Sequence, residues 1–151
     1  ADGGSLEEAL LDAGLAQQIV FPPNLDLAEC LYHAEQQARA AGRGLWRGGR
    51  FGPTAVTGLK EEARGFHLLR GRVTRTARTR SSWWIELDGR VSLRVARADW
   101  KYFDAGMPES LLGKVTEARG WLIWRSAKER GDDHHPPWML TIRHPLALSS
   151  R

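Results

Sequence analysis

The densest group of side chains that could do chemistry is the run Asp132-Asp133-His134-His135. Carboxylates and imidazoles are common ligands of divalent metals, and zinc sites use such residues at fixed spacings. Here the two histidines are adjacent, so their side chains diverge, and no third or fourth ligand follows at a recognised spacing. The run stands between Gly131 and Pro136-Pro137, which favours a polar loop over a metal site.

No other group of residues predicts catalysis. Cys30 is the single cysteine, and it falls within a helical apolar pattern with no activating neighbour. His33 and His144 are isolated histidines, and the chain contains no phosphate-binding loop, dinucleotide fingerprint or serine elbow. The sequence therefore predicts no catalytic residue, no metal ligand and no cofactor.

The basic residues are the stronger indication of function, because they are unevenly distributed. Residues 1–52 carry four arginines against seven acids, a net charge of −3, whereas residues 53–151 carry eighteen lysines or arginines against eleven acids, a net charge of +7. A basic half of this kind predicts an anionic partner. The alternative, a solvated basic surface without a partner, stays open.

The elements that must position these residues differ between the two halves. Residues 1–47 predict two helices. The first begins at a Ser5/Glu8 capping box and ends at Gly14, and the second follows an Asn24 N-cap and ends at Gly42. The second helix has an apolar stripe at helical spacing, formed by Leu27, Leu31, Ala34, Ala38 and Ala41. Residues 48–65 are rich in glycine and contain Pro53, which predicts a linker or a surface crossing.

Residues 66–148 predict a β-barrel. Alternating apolar residues indicate strands near 69–77, 83–87, 91–95, 115–124 and 138–143, and Asp88-Gly89 predicts a type I′ hairpin turn. The interval 99–113 predicts a short helix between the third and fourth strands. The fold class is therefore α+β, with two N-terminal helices and a five-stranded barrel of the oligonucleotide/oligosaccharide-binding (OB) type. A β-sandwich or an SH3-like barrel is the alternative.

Such a barrel places the basic residues where single-stranded nucleic acid would bind. Strand alternation puts one group opposite the predicted core, namely Arg70, Arg72, Trp84, Arg90 and Arg94. The loop between the first and second strands carries Arg78 and Arg80. The loop between the fourth and fifth strands carries Arg125, Lys128 and Arg130. Glu86 and Asp88 share the face of Trp84 and would repel phosphate. The alternative for Trp84 is burial beneath the N-terminal helices.

The remaining tryptophans are assigned by the same alternation. The sequence places Trp83, Trp100, Trp121 and Trp138 mainly in the core. The face of Trp124 stays open, because a one-residue bulge in its strand would reverse it.

Residues 1–46 resemble the thermonuclease (staphylococcal nuclease-like) family. The resemblance lies in Ala1-Asp2-Gly3-Gly4 leading into Glu8-Ala9-Leu10, in Gly14-Leu15-Ala16, and in Ala34-Glu35 followed by Gly44-Leu45-Trp46. It implies a parent protein that hydrolyses phosphodiesters with calcium. In that family the aspartate, glutamate and arginine residues of the catalytic site precede the first of these motifs, so none has a counterpart here. Calcium is expected only if an upstream nuclease barrel exists.

Three hypotheses follow for the function. The first is a non-catalytic module that binds single-stranded DNA or RNA, the second is the C-terminal part of a calcium-dependent nuclease, and the third is a structural or protein-interaction domain. No apolar run of 18 residues predicts a membrane span. The apolar stripes of the helices predict self-association, and nothing in the sequence assigns a compartment.

Overall fold

The computed structural model describes residues 6–14, 17–18, 28–49, 52–131 and 134–150. The chain divides into two compact units, Ala1–Gly52 and Pro53–Arg151. No helix within the described ranges is long and apolar enough to cross a membrane.

The first unit contains the two predicted helices. Helix α1 spans Leu6–Asp12, helix α2 spans Ala28–Ala40, and a 3-10 helix follows at Gly44–Gly49. Gly14 has a φ of 73°, and a Cβ there would lie 2.1 Å from the carbonyl oxygen of Arg43. Only glycine permits this close approach of two backbone segments.

The predicted stripe of α2 is partly confirmed. Ala34 and Ala38 are buried and Leu31 is half-buried, whereas Ala41, which follows the last residue of α2, is exposed. Ser5, Asn24 and Leu27, which were predicted to cap the helices or to belong to the stripe, lie outside the described residues. In α1, Leu6 is 74% exposed, and self-association through such residues stays a prediction.

The second unit is a closed five-stranded β-barrel. Its strands are β2 (Gly65–Arg78), β3 (Ser82–Leu87), β4 (Val91–Ala96), β5 (Val115–Trp124) and β6 (Trp138–Thr141). They pair in the order β2-β3-β4-β6-β5, and β5 pairs again with β2. The β4–β6 pair is parallel and the other four pairs are antiparallel. The predicted combination of helices with a five-stranded barrel is therefore confirmed.

Two short strands extend this barrel. Strand β1 (Thr54–Ala55) runs parallel to β2, and β7 (Leu148–Ser150) runs antiparallel to β5. After β1, Val56 and Leu59 are buried within the barrel core. These two residues, within the range 48–65 predicted as a linker or a surface crossing, thus pack on the barrel.

The β3–β4 hairpin turns at the predicted residues. Asp88 and Gly89 have φ values of 50° and 67°, and positive φ at both central positions is what a type I′ turn requires. Between β4 and β5 the chain forms two 3-10 helices, Arg97–Tyr102 and Glu109–Leu111. Met107 and Leu111 of this interval are buried in the core.

The core contains the side chains that alternation predicted, among them Leu69, Ile85 and Leu93, all with no exposed surface, and Leu140 of β6 is buried with them. Trp83 and Trp138 are also buried, and Trp100 is half-buried, stacked on Trp83 with centroids 5.1 Å apart.

The prediction for Trp121 is wrong. This side chain is 67% exposed, whereas its neighbour Leu122 is fully buried. Successive side chains of a strand point to opposite faces, so β5 cannot place both residues in the core. Trp124, which the sequence left open, is 39% exposed.

Candidate binding face on strands β3 and β4

The outward side of the β3–β4 hairpin carries Ser82, Trp84 and Glu86, which alternate with the core residues Trp83, Ile85 and Leu87. All six residues of β3 are buried. A hairpin that faced water on its outer side would expose every second residue. The outer side of β3 is therefore covered, and residues 134–137, called the 134–137 segment below, contribute to the cover.

Trp84 contacts this segment through His135. The imidazole of His135 stacks on the indole of Trp84 with centroids 4.2 Å apart and planes 18° apart. The guanidinium carbon of Arg125 lies 5.1 Å from the centroid of the same indole. Trp84 is therefore only 7% exposed. The sequence placed it correctly on the outer face, but His135 and Arg125 cover it, so it is not an open stacking surface.

Hydrogen bonds hold the 134–137 segment in place. Nδ1 of His135 lies 2.9 Å from Oε1 of Glu86, and Ser92 donates its hydroxyl proton to the carbonyl of Pro136 at 3.2 Å. Arg125 donates to the same carbonyl at 3.2 Å, and Arg130 donates to the carbonyl of His135 at 3.1 Å. The segment thus contacts β3, β4 and the chain that follows β5.

Glu86 does not present an isolated negative charge to a ligand, as the sequence suggested. Its side chain is 11% exposed and pairs with Arg75 at 3.4 Å as well as with His135. Asp88 accepts a hydrogen bond from the backbone amide of Arg72 at 3.2 Å. Glu86 thus has a cationic partner on the same side of the sheet.

Lys128 and Arg130 lie on a short helix, α3 (Ala127–Arg130), within the predicted loop. Its first turn is a capping box: the Ser126 hydroxyl accepts from the Glu129 amide at 3.2 Å, and the Ser126 amide donates to the Glu129 carboxylate at 2.6 Å. The hydrogen bond from the Ser126 amide lowers the pKa of the Glu129 carboxyl, and the bond with the Ser126 hydroxyl adds to this. The sequence Ser-x-x-Glu thereby orders the loop that carries both cations.

Two further predicted cations lie towards the other end of β3. Arg94 is the cross-strand partner of Trp84, and its Nε donates to the Ser82 hydroxyl at 2.8 Å. Arg80 is exposed in the turn between β2 and β3, where Thr79 and Ser82 exchange hydrogen bonds. The structure thus brings Trp84, Arg94, Arg125 and Arg130 together on the outward side of the β3–β4 hairpin, called the hairpin face below. Arg80 and Lys128 lie on the adjoining loops.

Two of the remaining predicted arginines are paired with carboxylates. Arg70 pairs with Glu117 across β2 and β5 at 2.6 Å, and Arg78 pairs with Glu109 at 2.5 Å. The hydrogen bonds from Arg78 hold the pKa of Glu109 at about 2, and Glu109 in turn raises the pKa of Arg78. The positive charge of each of these two arginines is therefore largely compensated within the protein.

Arg72 and Arg90 bond to backbone carbonyls instead. Arg72 donates to Gly113 at 2.6 Å, and Arg90, which follows the Asp88-Gly89 turn, donates to Leu59 at 3.4 Å. Neither contact neutralises the guanidinium. Both residues lie outside the group that the structure gathers around Trp84.

A scan against protein-family models matched no family, and a search of curated proteins found no relative. The site therefore has to be interpreted from its own chemistry.

That chemistry is suited to binding. Among the described residues, no three His, Cys, Asp or Glu side chains are grouped so that they could hold a metal ion. Asp132 and Asp133 lie outside the described residues, and His135 is engaged by Trp84 and Glu86. The hairpin face combines cations that no described carboxylate pairs with and a covered Trp84 ring, an arrangement that can bind anions.

Sequence reasoning missed the role of His135, which it assigned to a polar loop. The one available signal was the pair Pro136-Pro137, since two fixed φ angles stiffen the chain beside a histidine. It also missed Arg75, because its pairing with Glu86 depends on the register between β2 and β3. That register shifts between Val73 and Arg75, and no residue in the sequence marks the shift.

Proposed function

We propose that the barrel unit is a non-catalytic module that binds single-stranded nucleic acid across the outer face of β3 and β4. The observation that carries this proposal is that four cations around that face have no carboxylate partner among the described residues. Within the described part of the chain, no carboxylate pairs with Arg80, Arg94, Lys128 or Arg130. Uncompensated guanidinium and ammonium groups bind phosphates and release counterions from the nucleic acid.

The strand connectivity supports the same proposal. Counting from β2, the barrel order is first, second, third, fifth and fourth strand, with the third and fifth parallel. This order supports the proposal of an OB barrel, because barrels of that class are five-stranded Greek-key barrels. Barrels of that class bind single strands across their second and third strands and between two loops. The corresponding parts here are β3, β4, the turn 79–81, and residues 125–131 and 134–137.

Because Trp84 is covered, phosphate contacts and base stacking cannot form at this face in the same way. While His135 lies on the indole, the face offers phosphate contacts but no open ring at Trp84. A base stacks on Trp84 only after the 134–137 segment moves, and the base then replaces one flat aromatic ring by another. We therefore propose that phosphate contacts dominate the affinity and that stacking on Trp84 follows displacement of His135.

The resemblance of residues 1–46 to thermonucleases fits a parent protein that handles nucleic acid. In the proposed arrangement the barrel unit holds a strand for a calcium-dependent nuclease domain upstream. The barrel unit itself needs no calcium to bind.

The test is a fluorescence-anisotropy titration of a labelled single strand of about 12 nucleotides with the full chain at several salt concentrations. The triple variant Arg80→Gln/Arg94→Gln/Lys128→Gln removes three cations, and we expect the slope of log affinity against log salt to decrease by about 2, roughly 0.7 per lost contact. Lys101→Gln is the matched control, because Lys101 is an exposed cation beside Tyr102. An unchanged slope in the triple variant would remove these residues from the interface.

A further inference from the structure

A cavity of about 440 Å³ opens at the end of the barrel that carries the Asp88-Gly89 turn. It lies where β5 ends and β6 begins, and no residue of the hairpin face described above lines it except Pro137 at the end of the 134–137 segment. Its main lining residues are Leu59, Glu61, Arg90, Trp124, Pro137 and Trp138.

Two tryptophans form the aromatic wall of this cavity. Trp124 and Trp138 are cross-strand partners in β5 and β6, and their rings meet edge to face with centroids 5.1 Å apart. Trp138 is buried and donates its indole proton to the carbonyl of Ala63 at 3.2 Å, which fixes its orientation. Trp124 is 39% exposed. The wall therefore has a fixed part and a part that a ligand can reach.

Two arginines lie beside this wall. The guanidinium carbon of Arg90 is 5.2 Å from the Trp138 centroid, and that of Arg64 is 5.2 Å from the Trp124 centroid. Arg90 donates to the carbonyl of Leu59, and Arg64 donates to the carbonyls of Glu61 and Ala63. Within the described residues neither arginine forms an ion pair. Arg90 lines the cavity together with one carboxylate, that of Glu61, and Arg64 lies beside the cavity, next to the Trp124 ring.

An aromatic wall flanked by cations matches a ligand that joins a flat ring to an anionic group. A nucleotide has both parts, and the cavity volume is sufficient for one base. The 134–137 segment borders the cavity through Pro137 and the hairpin face through His135, so one strand can contact both.

We propose that this cavity binds one unstacked nucleotide of the strand, with its base against Trp124 and Pro137 and its phosphate at Arg90 and Arg64. This inference rests on the proposed function, because it assumes that a strand is bound. It adds a base-holding site that lies away from Trp84 and is already open.

The experiment compares Trp124→Leu with Trp121→Leu in the full chain. Both tryptophans lie on β5 and both are exposed, but only Trp124 lines the cavity. With a labelled single strand of about eight nucleotides, we expect Trp124→Leu to lower the affinity at least about fivefold and to leave the salt slope unchanged. Trp121→Leu binds as the unchanged protein does, and Trp124→Phe, which keeps an aromatic ring, restores most of the affinity.

A second readout assigns the effect to a base. Strands that carry one abasic position bind the unchanged protein more weakly when the missing base is the one held in the cavity, and Trp124→Leu removes that difference. If the unchanged protein binds the strand but Trp124→Leu and Trp121→Leu behave alike, or if no abasic position is sensitive to Trp124→Leu, the cavity site is wrong and the hairpin face stands. If the unchanged protein binds no strand at low salt, both proposals fail.

Discussion

The imidazole of His135 stacks on the indole of Trp84, with centroids 4.2 Å apart and ring planes 18° apart. Fifty-one positions separate the two residues in the chain, and the contact closes the loop after β5 over the β3–β4 hairpin. The indole on the outer face of the hairpin is therefore already stacked by the protein itself. Binding at this face depends on the strength of that internal contact.

Removal of the His135 ring tests this dependence. We expect His135→Ala to expose Trp84, to raise the affinity for a single strand severalfold, and to increase quenching of tryptophan fluorescence by acrylamide. The reason is that a base no longer has to displace an aromatic ring worth about 1–3 kcal/mol of stacking. His134→Asn is the control, because His134 is exposed and has a positive φ of 38°, which asparagine tolerates. A folded His135→Ala protein that binds more weakly would instead make His135 a direct contact of the strand.

The Arg78–Glu109 pair predicts how the free energy of unfolding depends on pH in acid. Arg78 holds the pKa of Glu109 at about 2, below the ordinary value of 4.5. A carboxyl whose folded-state pKa is depressed stabilises the fold above its unfolded pKa and loses that contribution as the pH falls towards the folded value. We therefore expect Glu109→Gln to lower the urea midpoint at pH 7 and to lose less stability than the unchanged protein between about pH 4.5 and pH 2.

The matched control for this pair is Glu62→Gln, which removes an exposed carboxylate with no ion pair among the described residues. Urea titrations across the same pH range should show the Glu62 variant following the unchanged protein. Parallel pH profiles for the Glu109 variant and the unchanged protein would contradict the pairing with Arg78.

The packing of residues 53–59 on the barrel is tested at Gly71. A Cβ at this position would lie 2.8 Å from Cγ2 of Val56 and 3.0 Å from Cβ of Leu87. We expect Gly71→Ala to lower the free energy of unfolding by about 1–3 kcal/mol, the usual cost of overpacking. At Gly58 a Cβ meets no atom within 4 Å, so Gly58→Ala should stay within about 0.5 kcal/mol of the unchanged protein. Equal denaturation midpoints for the two variants would show that Val56 does not pack against β2.

The cap of α3 predicts a local effect on the basic loop. Ser126→Ala removes the hydroxyl that accepts from the Glu129 amide, so we expect amide exchange in 127–131 to become faster. The pKa of the Glu129 carboxyl should rise only part of the way towards its ordinary value, because the hydrogen bond from the Ser126 amide, its largest cause, remains. Ser126→Asn keeps a capping oxygen and should preserve both properties. The pKa is followed by NMR titration of the side chain. Unchanged amide exchange in Ser126→Ala would mean that the hydroxyl half of the capping box does not form in solution.

Alternation along the strands was sufficient to predict most of the barrel. Leu69, Ile85 and Leu93 face the core as the period-two pattern predicts, and the Asp88-Gly89 turn fixes the register of the hairpin. The same rule would have excluded Trp121 from the core, since Leu122 has the stronger apolar pattern with Ala118. That error came from treating tryptophan as a core residue by type.

The candidate site was less accessible from the sequence. Strand alternation could assign the side chains of β3 and β4 to the outer face. It could not predict the ion pairs of Arg70 and Arg78, because their partners Glu117 and Glu109 lie 47 and 31 positions further along the chain. The position of the loop that carries His135 could not be predicted, because loops have no repeating apolar pattern like that of a strand. Long-range register and loop paths are decided by packing, and one sequence does not encode them in a local pattern.

Hydrogen–deuterium exchange of the full chain, with and without a short single strand at low salt, tests the central claim most directly. We predict slower amide exchange in the turn 79–81, in β3 and β4, and in 125–131, with the amides of 134 and 135 exchanging faster as the segment leaves Trp84. The protected region should lose its protection as salt is raised. Unchanged exchange at low salt, or protection confined to the β2–β5 surface around Trp121, would contradict binding at the β3–β4 face.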